Sequence, residues 1–97
     1  MIKVDKNEKV NIWVQVEERD DASFTISSAT FEVLDSDDSS VQSSADATVS
    51  SDKIYGLVDT SAEDFVTGSS YRVKFTYIIG SETYIDYVHI KLEETRL

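Results

Sequence analysis

The chain has 97 residues, 40% of them hydrophobic and 10% aromatic, with 19 acidic against 9 basic side chains, a formal charge of −10 and no Cys. That length supports one core in one domain spanning residues 1–97, and the apolar content is too high for wholesale disorder. The charge argues against a nucleic-acid partner, whose phosphates need clustered Lys and Arg, and against an anionic membrane surface; the missing Cys excludes disulfides and thiolate metal sites.

The first predicted strand lies near Ile2–Val4. Residues Met1 to Lys6 contain no apolar run of signal-peptide length, and no later stretch approaches a membrane span. The chain is therefore expected to be made, and to stay, in the cytoplasm unless a larger particle carries it out.

Val10, Ile12, Val14 and Val16 alternate with Asn11, Trp13, Gln15 and Glu17, which predicts a strand over 10–17. Ala29, Phe31 and Val33 alternate with Thr30, Glu32 and Leu34 and predict another over 29–35. Asp35 to Ser40 is turn chemistry, because short Asp and Ser side chains bond their own backbone. The Ser- and Ala-rich stretch from Val41 to Ser51 predicts a weak edge strand or strands. Ile54 to Asp59 is β-rich but apolar on both sides, so its facing is open, and Thr60 to Ser70 is a connector with room for a helical turn.

Tyr71, Val73, Phe75 and Tyr77 alternate with Arg72, Lys74 and Thr76 in the clearest strand, over 71–79. Gly80-Ser81 suits a type II′ hairpin turn leading to a return strand over 82–92. That return strand carries a conflict. Val88, Ile90 and Leu92 share one face while Ile85 and Tyr87 belong to the other, so either a bulge near Asp86 shifts the register or the outer face is apolar there.

Seven short strands without a long amphipathic helix predict an all-β fold, a sandwich in preference to a small barrel. Strands 10–17 and 54–59 fall on one sheet and 29–35, 71–79 and 82–92 on the other, with Val14, Phe31, Val73 and Phe75 in the core. Tyr71 opens its strand where a sandwich places a tyrosine whose hydroxyl ties down the preceding loop.

Ser28-Ala29-Thr30-Phe31-Glu32-Val33-Leu34-Asp35 resembles the third-strand segment of bacterial and phage immunoglobulin-like domains. Gly68-Ser69-Ser70-Tyr71-Arg72-Val73-Lys74-Phe75 resembles their entry into the sixth strand. With the flanking strands the likeness covers nearly the whole chain. It departs from the pattern in an extra Ser between Gly68 and Tyr71 and in Asp38, which replaces the usual turn Gly. The resemblance implies an immunoglobulin-like antiparallel β-sandwich of about seven strands. It also implies a small structural protein of a phage or prophage head, tail or baseplate, associated with the virion. Cell-surface modules share the pattern, so a bacterial surface or carbohydrate-binding module is the alternative.

Chemistry is hard to place on these residues. No Ser stands in a Gly-x-Ser-x-Gly elbow, and the single His, His89, should project outward from its strand. A filled sandwich offers no cleft across which two carboxylates could face. The acidic groups Asp35, Asp37, Asp38 and Glu17, Glu18, Asp20, Asp21 fall at opposite ends of the layout. Asp59, Glu63 and Asp64 share an end with the first group, but the Asp-x-Asp-x-Asp-Gly spacing of a calcium loop is missing. The expectation is a non-catalytic module with no cofactor, no metal and no small-molecule ligand.

A protein contact has a better place. The outer face of strands 29–35, 71–79 and 82–92 collects Leu34, Arg72, Lys74, Ile85, Tyr87, His89 and Lys91, three of the nine basic residues beside an aromatic on an acidic chain. Tyr and Arg are enriched at interface centres, so Leu34, Arg72, Lys74, Ile85, Tyr87 and Lys91 are the predicted contact with a protein partner or a second copy. Trp13, outward on 10–17 unless covered by the first strand or a loop, is a second candidate.

Overall fold

The computed structural model of the chain describes residues 2–16, 26–50, 52–61 and 65–93. Among them there is no helix. The strands are β1 (Ile2–Asp5), β2 (Lys9–Gln15), β3 (Ile26–Leu34), β4 (Ser40–Asp46), β5 (Thr48–Ser50), β6 (Lys53–Asp59), β7 (Ser70–Ile79) and β8 (Glu82–Glu93). They form two separate sheets, ordered β1-β8-β7-β3-β4 and β2-β6-β5, packed as a sandwich-like globule rather than a barrel. Every pairing is antiparallel except that of β1 with β8. The predicted division of strands between the sheets is the observed one.

Of the edge strand or strands expected in the Ser-rich middle, two form. The segment splits into β4 on the larger sheet and β5 on the smaller, which gives eight strands rather than seven. Ala47 marks the crossing, its N–H donating to the Ala29 carbonyl at 3.0 Å. Register shifts on either side of Val33 bulge β4 against β3. Small side chains give this segment little apolar grip, and it divides its pairing between the two sheets.

Phe31, Val73 and Phe75 are buried as predicted, but Val14 is only half-buried. Since β2 lies at the edge of its sheet, Ile12 and Val16 take the deep places on the same face. The facing of β6 is resolved as well. Ile54, Gly56 and Val58 point inward and Tyr55 and Leu57 outward. Gly56 is required there: a Cβ on it would stand 2.7 Å from Cγ of Phe31.

Side chains fix the corners. The Val66 N–H donates to the Tyr71 hydroxyl at 2.6 Å, and the Tyr71 ring stacks at a tilt on Phe65, with centroids 5.1 Å apart. Tyr71 thus ties the β6–β7 loop as its position predicts. The fully buried Thr60 hydroxyl accepts from the Glu8 N–H at 2.9 Å and donates to the Asp5 carbonyl at 2.7 Å, joining the β1–β2 corner to the end of β6. Asp35 Oδ1 accepts from the N–H groups of Asp37 and Ser39 at 2.8 and 2.9 Å, and Asp38 adopts φ 65°, so the β3–β4 turn is built by its own acids. Gly80 has φ 64° while Ser81 does not turn positive, the pattern a type II′ turn requires.

Candidate interaction face

The contact predicted on the outer face depends on the register of β8. Pairing with β7 runs unbroken from Ser70↔Lys91 to Ile79↔Glu82. No bulge interrupts it at Asp86, so Ile85 and Tyr87 stay on the solvent side, where they are 48% and 46% exposed.

The rows across this face follow from the pairings. Arg72 lies between Leu34 of β3 and His89 of β8, Lys74 between Glu32 and Tyr87, and Thr76 between Thr30 and Ile85. The Arg72 guanidinium stands 5.3 Å from the centre of the Tyr87 ring, one row away. Such a contact stabilises by about 0.5–1 kcal/mol at an exposed site. Arg72 also forms an ion pair with Asp38, which the β3–β4 turn holds over the end of β7. Arg72 is therefore oriented from two sides, by a carboxylate and by a ring. Lys91 pairs in register with Lys3 of β1, whose Nζ lies 3.6 Å from Glu93.

One predicted contact residue is not available. Leu34 belongs to this face by register but is only 9% exposed. It is flanked in register by Arg72 on β7 and Ser40 on the bulged β4. Arg72, Lys74, Ile85, Tyr87 and Lys91 remain together on the face with His89, and Lys3 joins them from β1.

Comparison with protein-family models, curated proteins and solved structures finds no match. The functional reading therefore rests on the residues of this chain.

The other sheet carries a smaller exposed group. Trp13 is 47% exposed, not covered by β1, and pairs in register with Tyr55. Their ring centroids are 6.4 Å apart and the planes tilt by 41°, while Lys53 Nζ sits 4.9 Å over the indole. Leu57 extends the group. The tilt leaves no coplanar pair on which a sugar ring could lie flat. Tyr55, Lys53 and Leu57 were not predictable here, because β6 is apolar on both faces and only its pairing with β2 orients it.

Asp35, Asp38 and Asp59 are engaged by their own surroundings. Asp35 serves the turn backbone and Asp38 serves Arg72. Asp59 Oδ1 accepts from the Ser61 hydroxyl at 2.6 Å and the Ser61 N–H at 3.0 Å, which hold its carboxyl below the usual carboxylate value. Among the described residues no group of three or more His, Asp or Glu side chains is placed to share a metal ion. Glu17, Glu18, Asp20, Asp21, Glu63 and Asp64 lie outside the described residues.

Proposed function

We propose that the chain is an immunoglobulin-like domain that serves as a non-catalytic assembly or binding module, of the kind found in small phage or prophage particle proteins. It would meet a protein partner or a second copy through the outer face of β3, β7 and β8. The observation that carries this reading is the juxtaposition of half-exposed Tyr87 and Ile85 with Arg72 and Lys74 on a chain of net charge −10. Clustered exposed apolar residues beside oriented cations mark contacts more often than scattered ones do.

Three features support the immunoglobulin-like part of the reading. The strand order β1-β8-β7-β3-β4 opposite β2-β6-β5 suits that topology. So do the parallel run of β1 beside β8 and the loop N–H held by the hydroxyl of Tyr71 at the start of β7. The phage setting rests on the resemblance of the segments around Ala29 and Tyr71 alone.

The test is a variant of the face. Arg72→Glu with Tyr87→Ser should keep the β-sheet circular dichroism spectrum and abolish association, measured by sedimentation of the pure chain and of the chain mixed with the products of neighbouring genes. Association unchanged in that variant would leave the face as an ordinary solvated sheet.

A further inference from the structure

β8 is the longest strand, and its two sides are unequally used. Along one side it pairs with β7 from Glu82 to Lys91; along the other, β1 covers only Ile90 to Glu93. Among the described residues nothing pairs with that second side from Glu82 to Val88. The backbone groups that point there can be identified. Leu92 directs its N–H to Ser69 and its carbonyl to Gly68, on the β7 side, whereas the Glu93 carbonyl accepts from Lys6 beside β1. Strand alternation then turns the N–H and carbonyl groups of Thr83, Ile85 and Tyr87 toward the open edge, while His89 lies beside the start of β1.

This stretch lacks most of the devices that usually blunt an edge. It contains no Pro, no Lys and no bulge. Two acids, Glu82 and Asp86, lie on its inner face, and Asp86 accepts from the Tyr77 hydroxyl at 2.6 Å. The other long edges are protected. β4 is bulged and rich in Ser, and β2 sets Lys9, Asn11 and Gln15 on the face of its one exposed aromatic. Among the described residues, only on β8 do two large exposed side chains, Ile85 and Tyr87, share an edge with unpaired backbone.

We propose that the open edge of β8 pairs antiparallel with the same edge of a second copy about a two-fold axis, joining two five-stranded sheets into one. The chain itself selects the register. To continue both faces, opposite residues must share a face, so the axis passes through a residue pair. An axis at Asp86 sets two half-buried carboxylates against each other, and one at Tyr84 sets Asp86 against Glu82, both destabilising. An axis at Tyr87 drives the start of one β8 into the place of the other copy's β1. An axis at Ile85 avoids all three. It opposes Ile85 to Ile85, Thr83 to Tyr87, Tyr84 to Asp86 and Glu82 to Val88, and the edge-facing groups of Thr83, Ile85 and Tyr87 bond their counterparts. The interface is isologous, as closed dimers require. The proposal deepens the self-association branch of the function above but uses a backbone edge, which Arg72 does not touch.

The test uses the chain's own mass of 10.9 kDa and its lack of Cys. Sedimentation equilibrium of the native chain should give twice the monomer mass. Ile85→Lys and Ile85→Glu should each be folded monomers by circular dichroism, and an equimolar mixture of the two should recover the dimer, because residue 85 meets residue 85. Ile85→Cys should form a disulfide-linked dimer on mild oxidation, since Cα atoms of a hydrogen-bonded antiparallel pair lie about 5.5 Å apart, whereas Trp13→Cys should not. A monomeric native chain, a dimeric Ile85→Lys, or a mixture that stays monomeric would overturn the proposal. Arg72→Glu alone separates the two readings: it should leave this dimer intact even where it abolishes capture of another protein.

Discussion

The ring of Phe31 occupies the space in which a side chain on Gly56 would begin. The two residues lie on opposing sheets, and a Cβ on Gly56 would sit within 3.0 Å of three ring atoms. Gly56→Ala should therefore destabilise by about 1–3 kcal/mol through overpacking. Denaturant unfolding should show the loss as a lower midpoint with unchanged slope. Adding Phe31→Leu should recover part of it, which a backbone effect of the substitution alone would not allow.

Phe75 is fully buried opposite Asp86 and packs against Phe31, with ring centroids 6.4 Å apart. Phe75→Ala should lower stability by about 3–5 kcal/mol, a large share of the roughly 5–15 kcal/mol typical of such a domain. A loss below about 1 kcal/mol, the range of surface substitutions, would contradict the inward facing of β7.

Tyr71→Phe keeps the contact with Phe65 and removes the acceptor of the Val66 N–H. Leaving a part-buried donor without its partner should cost about 1–3 kcal/mol. Hydrogen exchange at Val66 should accelerate more than exchange within β7, since the loop is released before the strand.

The side-chain amide of Gln42 reaches from β4 to the other sheet, donating to the Leu57 carbonyl and accepting from the Asp59 N–H, both at 3.1 Å. It serves the part of β6 that the short β5 leaves unpaired. Gln42→Glu keeps the acceptor, loses the donor and sets a carboxylate against a carbonyl. It should destabilise more than Gln42→Met in thermal unfolding near neutral pH, and the difference should shrink as the introduced carboxyl is protonated in acid.

Millimolar calcium should leave the melting temperature unchanged, because a ligand raises it only by preferring the native state. The carboxylates of Asp35 and Asp38 already serve turn N–H groups and Arg72. A rise of several degrees reversed by a chelator would show that the acidic loops hold the ion.

Much of this architecture was legible because period-two alternation reports which face is wet. β2, β3 and β7 each have one polar face, and their facing follows directly from the sequence. β6 does not, since Tyr55 and Leu57 lie exposed opposite buried Ile54 and Val58. Apolarity on both sides erases the signal, and only pairing with β2 restores it. For β8 the pattern stated the alternatives, a bulge or an apolar outer face, but choosing between them needed the register with β7. Leu34 was misread for a different reason: alternation gives the face of a residue, not how far its neighbours cover it. The open edge of β8 left no pattern at all, because it depends on β1 being short and set at the far end.

The parallel run of β1 beside β8 joins the first strand of the chain to the last, with Ile2 opposite Ile90 and Val4 opposite Leu92. Closing a loop of nearly the whole chain is entropically slow, and contacts so distant in sequence retard folding. During synthesis β1 emerges well before β8 and has no partner in its sheet until β8 follows, so Val4 cannot reach its buried place until Leu92 has been made. The larger sheet is then finished at its β1 edge, by a strand made long before the one it joins.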